Sequence, residues 1–509
     1  MKTNPAFHLL IPATESNPEL CKTLLSSFLL SYPSPTLVNY GKEFHGDNWD
    51  KGTHAAKIRG ISDFLSDKSK VKDDDLVLII DGYDVWFQLP PEVMIRRYHA
   101  MIVEANARLR RRYGEVTEGK PADGTSDRVQ KYTQKVIFGA DKLCWPNPPE
   151  DPACAAIPYS TLRKDIYGPD TDKDATSMHN RPRFLNSGNV IGPVADVREI
   201  YQYAVENVEQ GRGAIGDQLV FAEIFGEQEY QRETIRSETQ GTAGYFYDWA
   251  SKKLGLSESP LSANITINNM TTIPNQRYEY SIGLDYESRL FQTMTHSAAD
   301  VSFITYNSSA SLTTIQAAHP SLHDLPFSLP PDLQTASPPF SYVSPGYNHT
   351  LDADTSNTET LLLPYSPNLD TLPSPPMEPT WPTLPLATNI YTSTVAPLLH
   401  INGDKSLLQT WWPSLWYHPY SRALLRRYIR STQTFAAEAA ADRGGQTWWD
   451  SRGGRGGVWT DGGNWMAWGE VCRGVEEGVF GDGKGVWGKE EGERRVVNSF
   501  GKVIIGDDE

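Results

Sequence analysis

Nowhere in its 509 residues does the chain hold the roughly 18 consecutive apolar residues that a membrane-spanning helix needs, so no transmembrane segment is expected. The first apolar stretch, Phe7 to Ile11, is too short for the core of a signal peptide and stops at Pro12. Cysteine is scarce, and four residues are too few for a disulfide scaffold. Cys144 and Cys154 lie near enough in sequence to close a small loop, while Cys21 and Cys472 read as unpaired; four free thiols are an equally open alternative. Basic residues are also short, 47 Lys and Arg against 63 Asp and Glu, leaving a net charge of -16 at pH 7. A surface for nucleic acid or anionic lipid wants clustered cations, so neither partner is expected. An acidic chain that handles phosphate must meet that charge locally, with a metal ion and a few bases.

What is present is a globular composition. Apolar residues at 39% and aromatics at 11% suffice to bury one large core or two ordinary ones. Before about residue 240, strand and helix signals alternate as in a parallel α/β sheet. Phe7 to Ile11 and Thr36 to Tyr40 read as strands around a helix capped by Ser16 or Asn17, with Pro18 in its first turn. Ala55 to Leu65 reads as a second helix, and Leu76 to Ile80 is continuously apolar, the pattern of a strand covered on both faces. Val136 to Phe138 and a segment opening at Phe184 are further strands; Asp196 to Val208 and Leu219 to Phe225 are further helices. The expected organisation is a core over 1–320, a Pro/Ser/Thr-rich insertion or flexible loop over 321–390, the C-terminal part of the core over 391–430, and a Gly- and Trp-rich tail of unassigned role over 431–509. Asn264, Asn269, Asn307 and Asn348 open Asn-X-Ser/Thr triplets, which points to the Golgi or endoplasmic reticulum lumen. The true start, with its signal or anchor, is then expected upstream of Met1; if Met1 is genuine, the cytoplasm is expected instead.

Three short elements carry chemistry. Asp81 and Asp84 follow the carboxyl end of the strand Leu76 to Ile80, where open α/β sheets bind ligands. Neighbouring carboxylates suit a divalent cation with oxygen ligands, Mn²⁺ or Mg²⁺, shared with substrate phosphates. The same residues also read as a turn in which Asp81 caps the next segment and Asp84 faces water. A phosphatase nucleophile at Asp81 is a third reading, although that chemistry wants carboxylates two apart rather than three. His400, Gly403 and Lys405 follow another strand and offer a nitrogen ligand, close backbone approach and a point charge for phosphate. A lone His there is otherwise an ordinary buried residue. Asn186, Ser187 and Gly188 expose small polar groups near a strand, and Asp217 with Gln218 opens a helix that Asp217 either caps or uses to face an acceptor hydroxyl.

Eight segments occur in order: Ile11 to Glu15, Ala56 to Arg59, Leu78 to Val85, Phe138 to Pro146, Phe184 to Gly192, Gly216 to Leu219, Leu284 to Gln292 and His400 to Lys405. Together they resemble the glycosyltransferase domain of the procollagen lysyl hydroxylases and, more loosely, the collagen β-galactosyltransferases. The resemblance implies a GT-A-like nucleotide-binding α/β/α sandwich with a mostly parallel central sheet, using Mn²⁺ and a UDP-sugar. By position it implies that Asp81, Asp84 and His400 ligate the metal, that Tyr83 stacks near the uracil, and that Thr14 and Lys57 lie beside the donor. Asn402, Gly403 and Lys405 would meet the diphosphate; Trp145, Asn186, Ser187, Gly188, Asp217 and Gln218 would face sugar and acceptor.

This chain also departs from that family. The hydroxylase modules have no counterpart, the acidic run before the Asp-Gln pair is reduced to Gly216-Asp217, and the segment 300–390 is longer. The expected activity is transfer of a hexose, glucose or galactose, from a UDP-sugar to a hydroxyl of a protein or glycan acceptor. Asp217 would be the base if the reaction inverts, and Lys405 would steady the leaving diphosphate. The alternative is a protein of the same fold that binds nucleotide or glycan without turnover.

Overall fold

The structure, a computed structural model, describes residues 5–44, 53–118, 127–211, 216–253, 259–262, 276–319, 327–341, 363, 366–374, 377–430, 456–490, 495–497 and 503–506. The first elements in chain order are β1 (Phe7–Pro12), α1 (Pro18–Leu29), β2 (Thr36–Val38), α2 (Thr53–Ser66), β3 (Leu76–Ile80), β4 (Val85–Phe87) and α3 (Pro91–Tyr113). A hairpin, β5 (Glu115–Glu118) with β6 (Asp127–Gln130), leads to β7 (Val136–Asp141), α4 (Pro152–Ala155), β8 (Phe184–Pro193), α5 (Val194–Glu209) and α6 (Asp217–Thr239). Then come β9 (Ile282–Leu284), β10 (Phe291–Thr293), β11 (Val301–Ile304), β12 (Leu386–Asn389), β13 (Leu398–His400), β14 (Gly457–Thr460) and β15 (Trp465–Ala467).

The apolar runs of β1 and β3 place side chains alternately on two faces of one sheet. Phe7, Leu9, Ile11, Leu76, Leu78 and Ile80 enter one core, and Leu10, Val77 and Ile79 enter the other. A strand apolar on both sides has to be covered twice. Here α2, α5 and α6 cover one face, while α1, the helix Ser421–Arg430 and the aromatic segment around Trp412 and Trp416 cover the other. The fold is therefore α/β around a large, mostly parallel sheet of order β15-β14-β2-β1-β3-β8-β7-β9. Asn17, not Ser16, caps α1, its Oδ1 accepting from Leu20 N at 2.8 Å.

Three features differ from the expectation. Strand β8 runs antiparallel to both β3 and β7, so the sheet is mixed: strand direction is not written in apolar periodicity. The segment expected as a tail places β14 in the central sheet, parallel to β2. That placement brings the turn after β15 over α1, and Cys21 and Cys472, expected to be unpaired, form a disulfide with Cα atoms 5.8 Å apart. Their separation of 451 residues hides the pairing from any local reading. Cys144 and Cys154 form the second disulfide. Described parts of the 321–390 stretch also pack inward: Leu333, Phe340, Trp381 and Leu384 are buried in the core, and β12 pairs with β11. Asn307 is exposed, whereas Asn264, Asn269 and Asn348 lie outside the described residues, as do 431–455. Among the described residues no helix is long and apolar enough to cross a membrane.

Candidate functional site

A small second sheet, β10-β13-β4, assembles the site. β13 runs antiparallel to β4 with His400 opposite Val85, and Ile401 N donates to Asp84 O at 2.7 Å. Asp84 immediately precedes β4, and Asp81 immediately follows β3. Pairing β13 with β4 thus carries His400 to the carboxyl end of β3, where both aspartates already stand.

One ligand atom from each of Asp81, Asp84 and His400 lies within 4.8 Å of the others. His400 Nε2 is 3.6 Å from Asp81 Oδ2 and 3.4 Å from Asp84 Oδ1; its side chain is 2% exposed, against 31% for Asp81 and 15% for Asp84. That nitrogen is buried without a hydrogen-bond partner. The other ring nitrogen, Nδ1, lies 3.1 Å from Asn186 Oδ1 and 2.9 Å from Asn189 Nδ2. With Nδ1–H donated to Asn186, the Nε2 lone pair would face the carboxylates, the tautomer that metal ligation requires. The Asn189 amide group instead suits an Nδ1 that accepts, as in a metal-free ring protonated on Nε2. Asn186 in turn donates to Asp141 Oδ2 at 2.9 Å. Burial raises the Asp141 carboxyl above its ordinary pKa, although bonds from Asn186, Thr293 and Asn402 pull the other way.

Gly188 floors the cluster. Its carbonyl accepts from Asp81 N at 2.9 Å, and an added Cβ would fall 2.2 Å from His400 Cε1 and 2.6 Å from Asp81 Oδ2. Two lysines flank the carboxylates. Lys57, from α2, lies 2.5 Å from Asp81 Oδ1 and 2.6 Å from Asp217 Oδ2. Lys405 lies 2.5 Å from Asp84 Oδ2 and donates to Ile401 O at 2.7 Å. His54 Nδ1, one helical turn before Lys57, is 3.1 Å from Asp217 Oδ1.

These contacts set the charges. Burial would raise the Asp84 carboxyl, but His400 and Lys405 hold it well below the usual carboxylate range. Burial would likewise raise Asp217, and Lys57 and His54 more than reverse that. Burial would lower His400, yet Asp84 and Asp81 raise it. Lys57 is raised in the same way by Asp217 and Asp81 against its own burial. The hydrogen bond to Asp217 raises His54.

The remaining expected residues divide in two. Tyr83 Oη accepts from Thr14 N at 3.1 Å and donates to Glu15 O at 3.2 Å, which joins the first loop to the Asp81–Asp84 turn. Ser187 Oγ lies 3.3 Å from Asp217 Oδ2, and Gln218 Oε1 accepts from Ser187 N at 2.8 Å, so these three group around the start of α6. Asn402 is committed to the framework: its Oδ1 accepts from Met294 N and Thr295 N, and its Nδ2 donates to Asp141. Gly403 passes close to that same turn, where a Cβ would lie 3.1 Å from Met294 O. Trp145 stands 59% exposed on the loop closed by Cys144–Cys154 and joins none of these bonds. His54, Asp141 and Asn189 were not singled out in the sequence. His54 had a usable signal, its helical spacing from Lys57; Asp141 and Asn189 acquire their roles only once His400 arrives.

Compared with known proteins, the chain matches no family model, and no curated protein matches it at a significant level. Fold and site together define an α/β protein whose sheet edge carries an Asp-Asp-His cluster of a kind that could hold a metal ion.

Proposed function

We propose that the chain is a GT-A-like, metal-dependent glycosyltransferase that moves a hexose, glucose or galactose, from a UDP-sugar to a hydroxyl on a protein or glycan. The observation that carries this reading is the convergence of Asp81, Asp84 and His400 at the carboxyl end of β3. Two carboxylates with an orphaned imidazole nitrogen fit a divalent cation, and Gly188 keeps the space between them free of side chain. Mn²⁺, or Mg²⁺, would serve there as Lewis acid for the departing diphosphate.

The chain's own groups do the rest. Lys405 supplies fixed positive charge beside Asp84, where the leaving phosphates gain negative charge. Thr14 and Tyr83 line the side on which the nucleotide is expected. In an inverting reaction Asp217 takes the acceptor proton. A carboxylate held so far down by Lys57 is a weak base. Asp217 therefore becomes effective when Lys57 turns from it towards the donor phosphates. The two disulfides suit an oxidising compartment, which supports the lumen of the secretory pathway as the site of this activity.

The test is UDP release from UDP-glucose and UDP-galactose with and without Mn²⁺. Asp81→Asn and Asp84→Asn should each lower it about 100-fold or more, the scale lost when one preorganised electrostatic group is removed. Full activity in the double variant overturns the metal assignment. One observation favours the second reading, nucleotide binding without turnover: Lys57 and Lys405 already pair both aspartates. That reading wins if UDP binds equally well with or without Mn²⁺ and no UDP-sugar is consumed.

A further inference from the structure

Away from this cluster, a cavity of about 1240 Å³ lies between the C-terminal half of α3, the segment 156–164 and the C-terminal half of α6. Eight of its lining residues are Arg or Lys and only two, Glu229 and Glu233, are acidic, in a chain whose net charge is -16. Most of these cations are already matched. Glu233 takes Arg112 and Arg236, Glu229 and Glu279 take Arg232, Asp172 takes Arg181, and Asp165 lies 3.4 Å from Arg163. Arg108, Arg111 and Lys164 remain, exposed, their side chains in no hydrogen bond or ion pair among the described residues. Leu109, Pro158 and Leu162, each half-buried, line the same cavity.

Both walls lead back to the proposed site. α6 begins at Asp217 and reaches the cavity at Phe225, continuing to Arg236 and beyond. At about 1.5 Å per residue those points lie roughly 12 and 28 Å along the helix from Asp217. An extended peptide at about 3.3 Å per residue covers that span in roughly four to nine residues. The opposite wall, 156–164, follows the disulfide-closed loop that carries Trp145.

We propose that this cavity docks a carboxylate-rich stretch of the acceptor polypeptide, remote from its reacting hydroxyl. Three unpaired cations in an otherwise acidic protein select a polyanion. The apolar side chains on the same lining favour a peptide that alternates acidic and apolar residues over a sulfated sugar chain, which has no such side chains to bury. The acceptor part of this assignment rests on the glycosyltransferase reading; the binding part does not.

The experiment measures fluorescence anisotropy of a labelled Glu-Leu repeat peptide with the full-length chain, without UDP-sugar or added metal. Arg108→Glu, Arg111→Glu and Lys164→Glu combined should weaken binding by about tenfold or more, as expected when unpaired interface charges are reversed. Lys164→Glu alone, on a different segment, should weaken it less, which guards against a folding defect in the triple variant. Arg110→Glu, on α3 but off the cavity lining, and Asp84→Asn should both bind as wild type. Equal binding by a Gln-Leu peptide, or unchanged binding by the triple variant, overturns the proposal. Tighter binding by a heparin-derived oligosaccharide that the triple variant loses overturns it in favour of a sulfated sugar. Because no turnover is read, intact peptide binding alongside absent UDP release would sink the transferase reading alone.

Discussion

His400 sets one ring nitrogen against the amides of Asn186 and Asn189 and presents the other to two carboxylates, and the room for that arrangement comes from Gly188. A methyl at that position must displace either the imidazole or the Asp81 carboxylate. Gly188→Ala is expected to weaken Mn²⁺ binding by roughly 10- to 100-fold, the range seen when the support of a metal ligand is disturbed. A Mn²⁺ titration followed by thermal shift would read it, with far-UV circular dichroism of the metal-free variant unchanged. Asp81, Asp84 and His400 were legible as candidates because two carboxylates after a buried strand, and a histidine after another, are unusual locally. Asn189 and Asp141 were not, since an amide or acid at a strand looks ordinary until the ring it supports is in place.

At the scale of elements, Asp75 ties the start of β1 to the start of β3: its carboxylate accepts from Ala6 N at 2.7 Å and Lys72 N at 2.9 Å, and lies 2.8 Å from His8 Nε2. Burial raises this carboxyl, but His8 and the two backbone N–H groups outweigh burial and leave it below the ordinary 3.8. A carboxyl lowered on folding stabilises the protein above its unfolded pKa and loses that contribution as pH falls through the folded one. Asp75→Asn should therefore cost about 1–3 kcal/mol at neutral pH, the scale of unsatisfied buried donors. In urea titrations the gap from wild type should shrink below pH 3.8. Elements of this kind were partly legible. β3 matched its apolar run residue for residue, whereas α6 runs on from the expected Phe225 to Thr239 because its later turns carry paired charges such as Arg232 with Glu229 rather than an apolar stripe.

Over the whole molecule, three segments distant in sequence meet on buried charge. Arg426 Nε lies 2.9 Å from Asp370, and its Nη1 lies 3.7 Å from Glu490; Arg422 pairs with Asp482 at 2.6 Å and with Glu490 at 3.0 Å. Arg426→Ala would take the arginine partner from the buried Asp370 carboxylate while leaving Glu490 to Arg422, and should cost about 3–5 kcal/mol, measurable as a lowered denaturation midpoint. Nothing local announces such a clasp. Asp370 sits in a Pro-rich stretch and Glu490 in a Gly-rich one, both poor in periodicity, and each becomes structural only through an arginine far away. The bond between Cys21 and Cys472 goes further. It closes residues 21 to 472 into a covalent ring. A protease that nicks the ring once separates nothing, and the pieces part only under reduction. A ribosome must also release residue 472 before the ring can shut, so no truncated product ending earlier can ever acquire this covalent form.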